Sequence, residues 1–154
     1  MREPLKTARI DAGPSTVHWG FFDGKLSPIL TIDNGDRVTI SSVSGGPELM
    51  PPPPFTVPPA LPAIHAANGP QRFFGHMCTG PVAVRGAKVG QTLQIDIETI
   101  DLHYDWAYNV VRPLAGALPD DFPEYRPIYI SLDKSRMIGK LPWGQDIPLR
   151  PFFG

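Results

Sequence analysis

Cysteine, net charge and long apolar runs are all scarce in this chain. One cysteine, Cys78, in 154 residues excludes an internal disulfide framework. Fourteen basic side chains against fifteen acidic ones leave a formal charge of -1, so nothing pulls the chain toward nucleic acid or an anionic membrane. No apolar run approaches the ~18 residues of a spanning helix. Residues 1–6 lack the apolar core of a secretion signal. No Gly-rich phosphate loop opens a helix pattern, and no basic stripe is interleaved with aromatics. No window free of Pro and Gly keeps a 3.6-residue period, so long helices are not expected. These absences predict a cytoplasmic protein with no nucleic-acid and no membrane partner.

The length suits one domain with a sizeable core, and we expect a single domain over 1–154. Proline is abundant: 20 residues, more than twice the usual ~5%. Apolar and aromatic residues are interleaved with it throughout, which argues for short strands joined by rigid loops and against disorder. Strand patterns cover 16–22, 28–32 and 37–41, the last entered through the turn Asp33-Asn34-Gly35-Asp36, whose Asn and Gly tolerate left-handed backbone. The same turn-into-strand pattern returns at Gly90-Gln91, after which 92–100 alternates, with Leu93, Ile95 and Ile97 inward and Gln94, Asp96 and Glu98 outward. Residues 104–111 and 126–132 are further strands. Alternation with one polar face favours an antiparallel β-sandwich, jelly-roll-like, over a parallel sheet with intervening helices. Two loop regions remain. Residues 45–70 contain Pro51-Pro52-Pro53-Pro54, expected in an extended polyproline form, and residues 113–127 form the other. Long ordered loops are often functional, and a linker or sheet cover is an equal alternative.

The segment 75–90 concentrates the chemistry. It places His76, Thr79 and several turn-forming residues around the short apolar run Val82-Ala83-Val84. Gly lets a ligand approach the backbone closely, and Pro81 fixes the chain before the strand. His76 is either a ligand or proton carrier or a loop histidine bonded to a carbonyl. None of the four histidines has the local spacing of a metal motif. His18, on a strand beside Trp19, fits a core position. His65 falls in the Pro-rich loop and is expected to be exposed, and His103 suits either role. Asp105, between Tyr104 and Trp106, is a candidate for acid–base work or an acceptor of loop N–H bonds. Cys78 has no local base and reads as an inert thiol.

The run Gly75-His76-Met77-Cys78-Thr79-Gly80-Pro81-Val82-Ala83-Val84-Arg85-Gly86-Ala87 resembles the signature of the acetamidase/formamidase family. Asp105-Trp106-Ala107-Tyr108-Asn109 is similar to its D-W-G-Y-N segment. Leu141-Pro142-Trp143-Gly144 and the final Leu149-Arg150-Pro151-Phe152-Phe153-Gly154 are similar to two later segments. Gln91 stands where Asp is usual, Ala107 where Gly is usual, and Met77-Cys78 where an aliphatic pair is usual. The resemblance implies hydrolysis of the C–N bond of a small amide, such as formamide or acetamide, to ammonia and a carboxylate. It implies a divalent metal, zinc or calcium, with His76 as a ligand. It implies His76, Thr79 and Asp105 as catalytic residues, and Gly80 and Trp106 as substrate-binding residues. Family members are roughly twice as long. Their second half carries the expected acid–base motifs, so the implied partner is a complementary C-terminal half chain or a further copy in a homo-oligomer. A non-catalytic β-sandwich binding or assembly module is the alternative. The apolar run 141–153, with Trp143, Phe152 and Phe153, predicts a surface that a partner covers.

Overall fold

The structure, a computed structural model, describes residues 5–68 and 75–153. Expectations for residues 1–4, for the end of the Pro-rich loop at 69–70 and for Gly154 lie outside the described residues. The chain parts into two compact units, Met1–Pro47 with Pro59–Gln94 and Glu48–Pro58 with Ile95–Gly154.

In the first unit every strand finds its partner far along the chain. Strand β1 (Thr7–Ile10) runs parallel to β4 (Arg37–Ile40). Strand β2 (Val17–Trp19) is antiparallel to β5 (Met77–Thr79). Strand β3 (Leu30–Ile32) runs parallel to β6 (Val82–Val84). The turn before β4 forms as the sequence predicts. Gly35 takes φ 96°, Asp36 N–H donates to Asp33 O at 3.1 Å, and Asp33 N–H donates back to the Asp36 carboxylate at 2.9 Å. Two of the three pairings are parallel, against the expected antiparallel pattern.

A helix, α1 (Ala60–Asn68), occupies what the sequence presents as irregular Pro-rich loop. Its prolines sit before it or in its first turn, where the backbone needs no N–H donor. Alanines supply propensity, and Leu61 and Ile64, three apart on one face, are completely buried. The Asn68 side-chain amide donates to Ile64 O at 2.8 Å and satisfies a carbonyl at the helix end. His65 is therefore a helix residue in a packed setting and not an exposed loop residue. Its ring lies 5.1 Å from that of Trp19, and its Nε2 is 2.9 Å from Gly45 O. Ile10, Val17, Trp19, Val43, Leu61 and Ile64 make the buried core of this unit.

The second unit holds one antiparallel sheet in the order β10-β9-β8-β7. Its strands are β7 (Trp106–Val111), β8 (Arg126–Asp133), β9 (Ile138–Lys140) and β10 (Asp146–Pro148). The turn between β8 and β9 is closed by Asp133, whose carboxylate accepts the Ser135 hydroxyl at 2.7 Å and Arg136 N–H at 3.1 Å. The family-like Leu141-Pro142-Trp143-Gly144 segment is the turn between β9 and β10, with Gly144 at φ 91° and its N–H donating to Leu141 O at 2.9 Å. The Pro51–Pro54 run does not stay extended: it turns, with Phe55 N–H donating to Pro52 O at 3.3 Å. That brings Phe55 to 6.3 Å from the ring of Tyr129.

The largest departure is at 92–100. The turn before it forms, but no strand follows among the described residues. Leu93, Ile95 and Ile97, expected inward, are 63%, 74% and 56% exposed. Alternation specifies two faces, but burial needs a neighbour, and no described strand lies alongside. The fold is mainly β, and among the described residues none of its sheets closes on itself.

Candidate functional site

His76 stands at the entry to β5 on a backbone braced at four points. Trp19, buried on β2, donates its indole N–H to Gly75 O at 3.1 Å. Gly20 N–H donates to His76 O at 3.1 Å. Thr79 Oγ1 donates to Ser41 O at 2.8 Å, and Gly80 N–H donates to Thr16 O at 2.9 Å. Gly75 is required twice over. It takes φ 130°, and a Cβ there would meet Gly20 Cα at 3.0 Å. On this frame the His76 side chain is exposed and is hydrogen-bonded to none of the described residues.

The same contacts define what the neighbours do. The Thr79 proton is committed to Ser41, whose own Oγ accepts Ala12 N–H at 2.8 Å, so Thr79 ties the β2/β5 pair to the chain following β1 and β4. Gly80 is buried, and its N–H already serves Thr16. The N–H of Gly80, expected among the substrate-binding residues, thus makes a backbone bond in this structure.

Asp105 and Trp106 belong to the second unit. Asp105 accepts Thr56 N–H at 3.4 Å through its carboxylate and Leu132 N–H at 2.8 Å through its carbonyl. This is the loop-acceptor role weighed for it in the sequence. Trp106 is 3% exposed, stacks on Tyr104 at 5.2 Å and 17°, and donates its indole N–H to Thr56 O at 2.9 Å. It is the core of its unit, with both ring and N–H in use. The Tyr104 hydroxyl is buried with no hydrogen-bond partner, and burial raises its pKa.

Sequence reasoning missed one juxtaposition. Register places His18 directly opposite Cys78, and His18 Nδ1 is buried without a hydrogen-bond partner. Their separation along the chain hides this, and no local signal would have found it. The Cys78 thiol points its donor at His76 O, 3.8 Å away. Gln91, where the family-like pattern has Asp, accepts Lys88 N–H at 2.7 Å. That is the bond Asp36 makes in the earlier turn, so the substitution preserves the turn's closure.

No group of three or more His, Cys, Asp or Glu among the described residues is arranged to hold a metal ion. His76 offers one ligand at most, so these residues do not by themselves fit the expected divalent ion. No helix among them is long and apolar enough to cross a membrane. No family model, curated protein or solved structure matches the chain.

Proposed function

We propose that this chain is the amide-binding half of a cytoplasmic amidase of the acetamidase/formamidase type. It hydrolyses a small linear amide once a complementary C-terminal chain supplies the remaining acid–base groups. We also propose that the strands complete an antiparallel, jelly-roll-like sandwich in that assembly. The reading rests on the family-like segments, and the observation that carries it is the exposed His76 imidazole on a fully braced backbone. An unpaired side chain on a fixed backbone can meet a reacting atom without first breaking a bond of its own. Water adds to the amide carbonyl, the tetrahedral intermediate loses its C–N bond, and the nitrogen leaves as ammonia. His76 donates a hydrogen bond or a proton to the departing nitrogen. Thr79 positions His76 through Ser41. No step is assigned to a metal, because the described residues do not assemble its ligands.

A second reading, a non-catalytic β assembly module, is favoured by the committed Gly80 N–H and the buried Trp106. Ammonia release from formamide and acetamide separates the two. The chain is assayed alone and with the second half of a family member. Activity in the mixture that His76→Ala lowers at least a hundredfold, with unchanged thermal unfolding, supports the amidase. Activity that survives His76→Ala removes His76 from the chemistry, and its absence from every mixture favours the module.

A further inference from the structure

We propose that the second unit carries a receptor for a proline-rich segment with a phenylalanine at its end. In this chain the receptor is filled by residues 50–56, and a like segment of a partner protein can take their place. The inference is independent of the amidase reading.

Residues Glu48–Pro58 belong to the second unit, while the chain on both sides of them belongs to the first. The prolines at 51–54 carry carbonyl acceptors and no N–H donors. Such a segment cannot join a sheet as a ladder strand, and residues 50–58 enter none among the described residues. Side chains hold it instead. The Trp106 indole donates to Thr56 O at 2.9 Å, and the Tyr129 hydroxyl donates to Met50 O at 3.4 Å. The Asp105 carboxylate accepts the Thr56 N–H at 3.4 Å. Asp105 and Trp106, at the start of the edge strand β7, thus grip both backbone groups of one residue.

Indole and phenol donors have an apolar body and a polar tip, which suits them to a proline-rich chain: the ring covers apolar surface while the donor meets a carbonyl. The clamp on the Thr56 backbone fixes position, and two side chains set identity. Pro51 is buried. Phe55 is half-buried, with its ring 6.3 Å from that of Tyr129. Pro52, Pro53 and Pro54 between them are exposed. The receptor therefore reads a proline and, four residues on, an aromatic ring. The segment is gripped at Met50 and Thr56 and turns outward between them, as a docked peptide does. Tethering raises the local concentration of the chain's own segment to about millimolar. A free peptide therefore competes poorly with an intact resident segment and well with a weakened one.

Fluorescence anisotropy of a labelled peptide with the sequence of residues 48–58 tests this on the full chain. Phe55→Ala weakens the resident segment and leaves the receptor side chains as they are. The peptide is expected to bind that variant saturably, at least tenfold more tightly than it binds the unsubstituted chain. A peptide carrying Phe55→Ala is expected to bind at least tenfold more weakly. So is one carrying Thr56→Pro, which lacks the N–H that Asp105 accepts. Adding Tyr129→Phe to the chain should weaken binding severalfold. A Phe55→Ala chain that keeps the parent far-UV circular dichroism and takes up no peptide overturns the proposal, as does equal uptake of all three peptides. Where Phe55→Ala unfolds the chain, Thr56→Pro replaces it under the same criteria. A chain that unfolds with either substitution holds a segment its unit cannot stand without, and that result overturns the proposal too.

Discussion

Substituting Gly75 by alanine should cost more than any other single methyl group added to the His76 loop. Two terms combine there. The backbone holds φ 130°, a region side-chain-bearing residues avoid at about 1–3 kcal/mol. The new Cβ also lies 3.0 Å from Gly20 Cα, a backbone atom with no rotamer to swing away. Relief requires the end of β2 and the start of β5 to separate. That movement loosens Gly20 N–H to His76 O and the Trp19 indole to Gly75 O, each 3.1 Å and each worth about 1 kcal/mol net. We expect a loss of about 2–4 kcal/mol for Gly75→Ala, with strain and contact overlapping in part. Gly86 is the control. It takes φ 77°, but nothing lies within 4 Å of a Cβ there, so Gly86→Ala should lose only the about 1–2 kcal/mol of left-handed backbone. Urea unfolding of both variants, followed by far-UV circular dichroism, measures the difference. Equal losses at the two positions, or a Gly75→Ala chain as stable as its parent, would refute the claim that close approach braces this loop.

Other expectations follow from single groups. Tyr104→Phe removes a buried hydroxyl that has no partner, so stability should hold or rise by up to about 1 kcal/mol. The Tyr104 phenol should also ionise above the ordinary tyrosine range in an absorbance titration, and a loss of more than 1 kcal/mol would show a bond that this geometry lacks. The Asp36 carboxylate, held below its ordinary pKa by N–H bonds from Asp33 and Lys6, stabilises the fold above the ordinary carboxylate range. That contribution is lost as pH falls through the lowered value. Asp36→Asn should therefore be less stable than the parent at neutral pH and converge on it below about pH 4; a gap that stays constant with pH would contradict the assignment.

Local chemistry was legible in the sequence, and long-range partnership was not. The turn at Asp33–Asp36, the strand after it and the two long strands of the second unit all follow from alternation and turn residues within a few positions of one another. Helix α1 was hidden because proline usually breaks helices, and only its place in the first turn makes it harmless here. The strand expected at 92–100 has the same kind of entry turn as β4, closed by a side chain at the same position, yet among the described residues only β4 has a strand laid beside it. At the site, the Gly-rich loop pointed to a constrained backbone, and the constraint is present. What braces it comes from Trp19, Ser41 and Thr16, whose convergence on Gly75, Thr79 and Gly80 depends on pairings that no local pattern encodes. The surroundings of Trp106 are hidden for the same reason: its neighbour Thr56 lies in a loop that sequence cannot place.

The order of pairing in the first unit bears on how the chain can be made. The partners are β1 with β4, β2 with β5 and β3 with β6, so three strands emerge from the ribosome before any of them can bond, and two of the pairs wait until after the residues that belong to the second unit at Glu48–Pro58. The second unit's sheet zips up between immediate neighbours in the chain. Non-local pairing is slow and leaves strand edges open meanwhile. During synthesis the sheet of the second unit is thus expected to form faster than the pairs of the first, whose unmatched strands stay open until their partners are made.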